Sequence, residues 1–252
     1  MTLRSETRSY LLALADDEHL MGQQHTEWIG VAPFLEEDLA FSSIGQDELG
    51  HAAMLYGFIL ESDGIAPTDS AIDVLAYERD APEYRSCPLV ESSTDDWAIA
   101  LVRHWVYDTV EEARWRLLEQ SSLEGLADLA HRAAREESFH RLHANALLDA
   151  LLGDAHARER ILAALQRLQP QIIDLVAPMP GEAESVAIGV AGGRLCDTVP
   201  ELETEICSRF QVQMSLGACS DRGDCRLARS PGFSSLMSRM REVLDFDLDA
   251  TW

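Results

Sequence analysis

Two short stretches decide the fold, Asp47-Glu48-Leu49-Gly50-His51 and Glu136-Glu137-Ser138-Phe139-His140. In each stretch the second residue is a glutamate and the fifth is a histidine, so the two side chains stand three residues apart. On an α-helix, residues at this spacing lie on the same face, one turn after the other. Each stretch therefore predicts a helix that presents a carboxylate and an imidazole together to one side.

Both motifs lie within segments whose apolar residues recur every three or four positions, with few glycines or prolines inside. Four such segments predict long helices, at 5–28, 34–61, 94–120 and 123–152. The stretch 63–93 holds three prolines among aspartates and serines, which is typical of a long connection. Two helical hairpins joined by one long crossover predict an all-α fold, the ferritin-like four-helix bundle.

The rest of the chain continues with helical periodicity, interrupted by proline and glycine at 178–181 and at 192–193. Additional C-terminal helices are predicted at 156–176, 183–190, 200–212 and 233–246. We expect them to pack on the bundle, because a chain of 252 residues can bury one substantial core. The prediction is a single domain over 1–252, with the core bundle at about 5–152 and the accessory helices at about 156–246.

The two remaining bundle helices can each supply a glutamate at the height of the motifs. In an antiparallel hairpin, two residues are level when they are equally far from the turn, since each residue rises about 1.5 Å. The first turn centres near 32–33, which makes Glu18 level with Glu48. The second centres near 122–123, and Glu111 then comes within about three residues of level with Glu137. Asp108 and Glu112 are alternatives to Glu111 as the fourth carboxylate.

A di-iron centre is the chemistry that this set favours. Carboxylates with imidazole and without thiolate suit iron or manganese, and four carboxylates can neutralise two divalent cations while leaving coordination positions for O2. The acid before each motif glutamate is expected to accept a hydrogen bond from the ligand histidine of the opposing hairpin. The predicted metal ligands are Glu18, Glu48, His51, Glu111, Glu137 and His140, with Asp47 and Glu136 as the supporting acids.

Four further side chains stand near these ligands in the sequence. His25 and His104 lie two turns from predicted ligands and are interpreted as lining or core residues. Trp115 and Phe139 are interpreted as walls of an apolar pocket for a small-molecule substrate, or as plain core.

The overall charge excludes several other classes of function. Acidic residues outnumber basic ones 44 to 20, giving a net charge of -24, which would repel nucleic acids and anionic membranes. The first residues lack the pattern of a signal peptide, and no apolar stretch approaches the roughly 20 residues that span a bilayer. We expect a cytoplasmic protein with reduced cysteines, and the spacing of Cys219 and Cys225 matches no common zinc finger.

The chain resembles the phenylacetic acid catabolic family, most closely the C-type subunits of bacterial phenylacetyl-CoA epoxidases. The resemblance is clearest in the first hairpin, over Glu27-Trp28-Ile29-Gly30-Val31-Ala32-Pro33, Glu37-Asp38-Leu39-Ala40 and Ile44-Gly45-Gln46-Asp47-Glu48-Leu49-Gly50-His51. It continues more weakly through the second hairpin and near 232–241. It implies a ferritin-like fold and a complex in which an A-type subunit holds the di-iron site and a C-type subunit supports it.

Some C-type subunits have lost the metal ligands, whereas this sequence retains the full set. The leading hypothesis is therefore a di-iron monooxygenase that uses O2 to hydroxylate or epoxidise a small organic substrate, with electrons from a reductase or ferredoxin. By family analogy the substrate is an aromatic or a CoA- or carrier-linked acid. The alternative is a structural subunit that keeps a metal site. The expected assembly is a homodimer or a hetero-oligomer with a homologous subunit.

Overall fold

The computed structural model describes residues 3–217 and 225–246, and every regular element within these ranges is helical. The α-helices are α1 (Ser5–Thr26), α2 (Leu35–Ser62), α3 (Asp69–Tyr77), α4 (Pro88–Glu91), α5 (Trp97–Leu118), α6 (Leu126–Leu151), α7 (Ala155–Leu175), α8 (Glu182–Ala187), α9 (Val199–Phe210), α10 (Phe233–Met240) and α11 (Glu242–Phe246). Short 3-10 turns occupy Ala81–Glu83 and Leu195–Thr198. The predicted all-α, ferritin-like four-helix bundle is confirmed, with α1, α2, α5 and α6 as its helices. Within the described ranges, none of the helices combines the length and the apolar character that crossing a bilayer requires.

Two glycines allow α1 and α2 to approach each other closely in the first hairpin. A Cβ atom added to Gly22 would lie 3.0 Å from the Gly45 carbonyl oxygen, and one added to Gly45 would lie 2.9 Å from the Gly22 carbonyl oxygen. Any larger side chain would push the backbones apart, because packed interiors leave no slack at such distances. These glycines lie one turn from Glu18 and from Glu48, so they set the spacing of the first two carboxylates.

The second hairpin starts after the crossover, which is more ordered than a bare loop. The crossover contains α3 and α4, and α5 begins after Asp96, whose side chain accepts a hydrogen bond from the Ala98 amide at 2.8 Å. Capping of a free amide by an aspartate is a common way to start a helix. α6 begins after Gly125, which has a φ of 81° that favours glycine. Both starts come three residues later than predicted.

The accessory helices cover one side of the bundle, and their bounds are close to those predicted. α7 packs along α5, and α9 and α10 complete the same hydrophobic cluster. The prediction of one helix over 233–246 is wrong, because the chain turns at Arg241 between α10 and α11. Cys87, Cys196 and Cys207 are unpaired thiols, as expected, whereas Cys219 lies outside the described residues. The division into a core bundle and accessory helices within a single domain stays a prediction.

The apolar core is divided into two main clusters with a polar layer between them. One cluster includes Leu101, Val106 and Leu148, and the other includes Leu14, Leu55 and Leu126. On α1 the buried 16–19 segment comes between residues of the two clusters, and on α6 Glu137 and His140 do the same. The bundle therefore holds its charged groups in mid-core, with apolar side chains above and below.

Candidate metal centre

Two groups of buried side chains meet in the polar layer and share one glutamate. Glu18, His51 and Glu137 form the first group, and Asp108, Glu137 and His140 form the second, with the donor atoms of each group within 4.8 Å of one another. All five residues are buried. They come from all four bundle helices, as the spacing of the Glu-x-x-His motifs predicts. A carboxylate shared by two such groups is the arrangement that can bridge a pair of cations.

Glu48, the glutamate of the first motif, lies in the same buried layer but faces a histidine that the motif does not include. Its Oε2 atom is 2.6 Å from His25 Nδ1, and its Oε1 atom has no hydrogen-bond partner in the described parts of the chain. Burial, followed by the charges of Asp108 and Glu18, raises the pKa of Glu48 well above its usual range. Its free oxygen is thus available to a cation.

The acids that precede the motif glutamates support the histidines across the hairpins, as predicted. Glu136 Oε2 lies 2.7 Å from His51 Nε2, and Asp47 Oδ2 lies 3.2 Å from His140 Nε2. When Nε2–H donates to these carboxylates, Nδ1 of each ring is left facing the centre. His51 Nδ1 is 2.9 Å from Glu18 Oε2. Such a partner fixes both the tautomer and the orientation of a ligating imidazole.

Helix α5 contributes Asp108 to the groups of possible ligands, while one oxygen of Glu111 pairs with an arginine and the other has no hydrogen-bond partner among the described residues. Glu111 is buried, but Oε1 is ion-paired with Arg114, which also lies 3.0 Å from Asp17 Oδ2. The third alternative, Glu112, pairs with the outward-facing Arg116 and Arg141 instead. The sequence-based choice of Glu111 rested on height along the helix, and the side-chain directions favour Asp108.

The site without cations carries protons that a metal would replace. Burial raises the pKa of Asp108 to about 8 and that of Glu137 to about 7. Burial alone would lower the pKa of His51, but hydrogen bonds with Glu136 and Glu18 outweigh it and raise the pKa to about 10. The pKa of His140 is raised to about 11 against the same opposing effect of burial, mainly by Asp47 and Glu137. Buried carboxylates in this number are stable only when protonated, hydrogen-bonded or bound to cations.

The residues fit a metal pair, because several of their buried atoms have no partner within the described chain. Both oxygens of Glu137, Oδ1 of Asp108 and Nδ1 of His140 make no hydrogen bond there, while Oδ2 of Asp108 has only His104 Nδ1 near it, at 2.9 Å. Unpaired buried carboxylate oxygens are costly, and a native structure needs a reason for them. Oxygen and imidazole donors pointing into one closed space match the preferences of iron and manganese.

Other residues near the centre were interpreted less well from the sequence. His104 is buried, as expected, but its Nδ1 lies 2.9 Å from Asp108 Oδ2, a contact that a spacing of four on one helix could have suggested. Trp115 packs its ring against His51, with centroids 5.4 Å apart, and so lines the centre. Tyr107, which was not among the predicted ligands or supporting acids, donates its hydroxyl to Glu18 Oε1 at 3.2 Å. Phe139 does not wall a pocket, because 70% of it is exposed.

Comparisons with known proteins agree with this arrangement. The model of the family described as phenylacetic acid catabolic protein matches residues 2–210. The C component of the 1,2-phenylacetyl-CoA epoxidase of Escherichia coli (strain K12) is 31% identical over 136 residues, which are 54% of this chain and 53% of that protein. The chain thus matches that curated relative over about half of the relative's length. Since the family model covers most of the sequence, the chain belongs to the phenylacetic acid catabolic protein family.

Proposed function

We propose that the chain is a di-iron oxygenase component that uses O2 to hydroxylate or epoxidise a small organic substrate. The observation that carries the proposal is the pair of buried ligand groups that share Glu137. The proposed ligands are Glu18, Glu48, His51, Asp108, Glu137 and His140, with manganese as the alternative to iron. The substrate class that the relative's name suggests is an aromatic acid carried as its CoA thioester.

Metal ions held by these ligands would supply the redox chemistry that dioxygen needs. Placing one oxygen atom in the substrate and reducing the other to water consumes two electrons and two protons, so a reductase or ferredoxin is an expected partner. The chain's own part is to hold and shield the centre. Glu136 and Asp47 orient the two histidines, while Trp115 and the flanking apolar clusters keep water out.

A structural subunit with a retained metal site is the second candidate function. It is favoured by the likeness to a protein named as one subunit of an epoxidase, which implies a hetero-oligomer with a homologous subunit. In this case the centre would stabilise the bundle, and the oxidation would take place in the partner. A cytoplasmic location stays a prediction under either function.

Metal content and reaction with oxygen test the proposal. The chain would be loaded anaerobically with iron(II), desalted, assayed for iron and then exposed to O2 while its absorption spectrum is recorded. We expect about two irons per chain, and oxygen-dependent absorption bands that the double variant Glu48→Ala/Glu137→Ala lacks. Glu61→Ala, at an exposed glutamate on the same helix as Glu48, is the matched control and should behave like the wild type.

The outcomes separate the two functions. A chain that binds no iron under these conditions would overturn the metal centre itself. A chain that binds iron, leaves it unoxidised by O2 and co-purifies with a homologous chain would instead establish the structural subunit. The oxygenase is supported only when binding and oxidation by O2 are both lost in the double variant and kept in the control.

A further inference from the structure

A second site lies outside the metal centre, in a cleft of about 380 Å³. The α4–α5 connection, α5, α7 and α10 form its walls. Its size falls in the range of about 300–1,000 Å³ that is usual for small-ligand pockets. None of the described residues that line it is a candidate metal ligand. The cleft is therefore distinct from the proposed metal ligands.

The cleft is unusual in its charge. Among the described residues, those that line it include three arginines, Arg103, Arg167 and Arg239, and no acidic residue. This absence stands out in a chain where acids outnumber basic residues 44 to 20. Four hydroxyl side chains complete the polar lining, namely Ser92, Ser93, Thr94 and Ser235. Guanidinium and hydroxyl groups are both donors to oxyanions.

Arg103 is a buried cation without a counter-ion in contact. Only 2% of it is exposed, and the carboxylates whose charges act on it, those of Glu27 and Glu48, form no ion pair with it. Its guanidinium donates to the Ser92 carbonyl oxygen and, at 3.2 Å, to Gln24 Oε1, while its Nε has no partner among the described residues. Burial lowers the pKa of Arg103 to about 10. A buried charge of this kind is costly unless an anion accompanies it.

The other two arginines differ in how far they are neutralised. Arg239 Nε lies 2.8 Å from Glu27 Oε1, and the same guanidinium donates to the hydroxyls of Ser93 and Ser235. Arg167 is exposed and makes no ion pair or hydrogen bond within residues 3–217 and 225–246. The lining thus carries three arginines, of which only Arg239 is ion-paired with a carboxylate that the structure describes, and this excess of positive charge favours an anion.

The walls of the cleft are fixed by close packing. A Cβ atom on Gly232, at the start of α10, would lie 2.9 Å from the Glu91 carbonyl oxygen, so this segment is pressed against α4. Gln171 on α7 donates to Ser92 Oγ at 3.1 Å and so links α7 to the α4–α5 connection. Donors held in place before binding lose little entropy when the ligand arrives.

A larger cleft elsewhere provides a contrast. Trp105, Asn145, Asp149 and their neighbours line a space of about 830 Å³ that also contains arginines, Arg158 and Arg209. There, however, Arg209 lies 2.8 Å from Asp149 Oδ1, and two glutamates belong to the same lining. That cleft has no excess of positive charge among its described residues, so it serves as an internal control.

We propose that the cleft lined by Arg103, Arg167 and Arg239 binds a phosphate group, either inorganic phosphate or the phosphate monoester of a small ligand. Arg103 and Arg167 supply the charge, and the hydroxyls that Arg239 orients supply neutral donors. The volume exceeds that of one phosphate ion, which leaves room for an organic substituent beside the phosphate.

Isothermal titration calorimetry of the full chain tests the proposal, with inorganic phosphate and glycerol 3-phosphate as probes at mildly alkaline pH and constant ionic strength. We expect saturable binding of one phosphate per chain, weakened about tenfold or more in Arg167→Gln. Arg158→Gln removes an arginine from the contrasting cleft and should bind like the wild type. Because Arg167 is exposed, its replacement leaves folding intact.

Arg103→Lys is the second variant, since it keeps the buried charge but loses the planar guanidinium. It should also weaken phosphate binding, and circular dichroism would verify that it stays folded. Binding of glycerol 3-phosphate alone would support the site and assign it to organic monoesters. The proposal would be overturned if neither probe bound saturably, or if the wild type and Arg167→Gln bound phosphate equally. Either result would count whatever the metal content of the chain.

Discussion

At the scale of single residues, the choice between Asp108 and Glu111 shows how a ligand is selected. Both are buried acids on one helix and one turn apart, so the rise per residue separates them little. Arg114 decides between them, because it occupies Glu111 and is itself held by Asp17. Asp108 Oδ2 contacts only the neutral ring of His104, and Oδ1 has no partner in the described chain, so this carboxylate faces Glu137 and His140 without an arginine paired to it.

Replacing these two acids one at a time tests the assignment. We expect Asp108→Asn to reduce iron binding by more than the roughly 10–100-fold that loss of a supporting hydrogen bond costs. Glu111→Gln should keep the iron but lower the free energy of unfolding by about 1–3 kcal/mol, since Arg114 loses one of its two carboxylates. Iron titration and urea denaturation of both variants provide the measurements. Loss of iron from Glu111→Gln alone would reverse the assignment.

At the scale of elements, the contact between α1 and α2 ties helix spacing to the metal centre. Gly22 and Gly45 let the backbones approach, and Glu48 follows Gly45 by one turn on the same helix. Alanine is normally the better helix former, by about 1 kcal/mol. The effect of a glycine-to-alanine change in this helix on the free energy of unfolding therefore depends on what the added methyl group would contact.

Gly45→Ala and Gly50→Ala form a matched pair on α2. A Cβ at Gly45 would lie 2.9 Å from backbone and side-chain atoms of α1, whereas one at Gly50 meets nothing within 4 Å. Gly45→Ala should lower the free energy of unfolding by about 1–3 kcal/mol and weaken iron binding, because the helices must separate. Gly50→Ala should raise the free energy of unfolding by up to about 1 kcal/mol. Thermal and urea unfolding would measure both, and similar effects of the two changes would contradict this account.

At the scale of the whole molecule, long-range ion pairs join the bundle to the segments around it. Arg226, near the start of the second described range, lies 2.8 Å from Asp17 Oδ2 in the bundle core. Arg79 in the crossover pairs with Asp16, the neighbour of Asp17 on α1. Because these contacts and the shared apolar cluster connect distant parts of the chain, we expect one cooperative unfolding transition rather than two.

Acid should lower the free energy of unfolding of the chain through the buried His19. Burial lowers its pKa to about 3 in the folded chain, against a usual 6.5, and neither ring nitrogen has a hydrogen-bond partner among the described residues. Below pH 6.5 the unfolded chain binds a proton there that the folded chain does not, so stability present above this pH is lost as pH falls toward 3. The expected loss is about 2 kcal/mol between roughly pH 6.5 and 5.

Urea denaturation across this pH range measures the effect, with His19→Leu and the exposed His131→Leu compared to the wild type. His19→Leu should show a shallower loss of stability with acid, by about one bound proton, and His131→Leu should follow the wild type. All three chains are compared in the metal-free form, so release of metal does not contribute. Equal pH slopes for wild type and His19→Leu would show that His19 does not carry this dependence.

The helical fold, the order of the two hairpins and five of the six proposed metal ligands could be predicted from the amino-acid sequence alone. These follow from local periodicity and from the constant rise of a helix, which place Glu18 level with Glu48 and set the two Glu-x-x-His motifs on inward faces. The same reasoning predicted the contacts of His51 with Glu136 and of His140 with Asp47, and the structure contains both contacts, while the role of the two acids beside metal ligands stays a prediction.

Which acid of α5 faces the candidate centre, and which residues contact it, depends on how the helices pack. Asp108 is distinguished from Glu111 by Arg114 and Asp17, and Glu48 is held by His25, through contacts that depend on how separate helices meet. Phe139 lies within a motif yet points outward, because a shift of two residues turns a helix by about 200°. The arginine cleft likewise joins residues far apart in sequence. Periodicity reports which face of a helix is buried, but the partner that meets each side chain depends on how the helices pack.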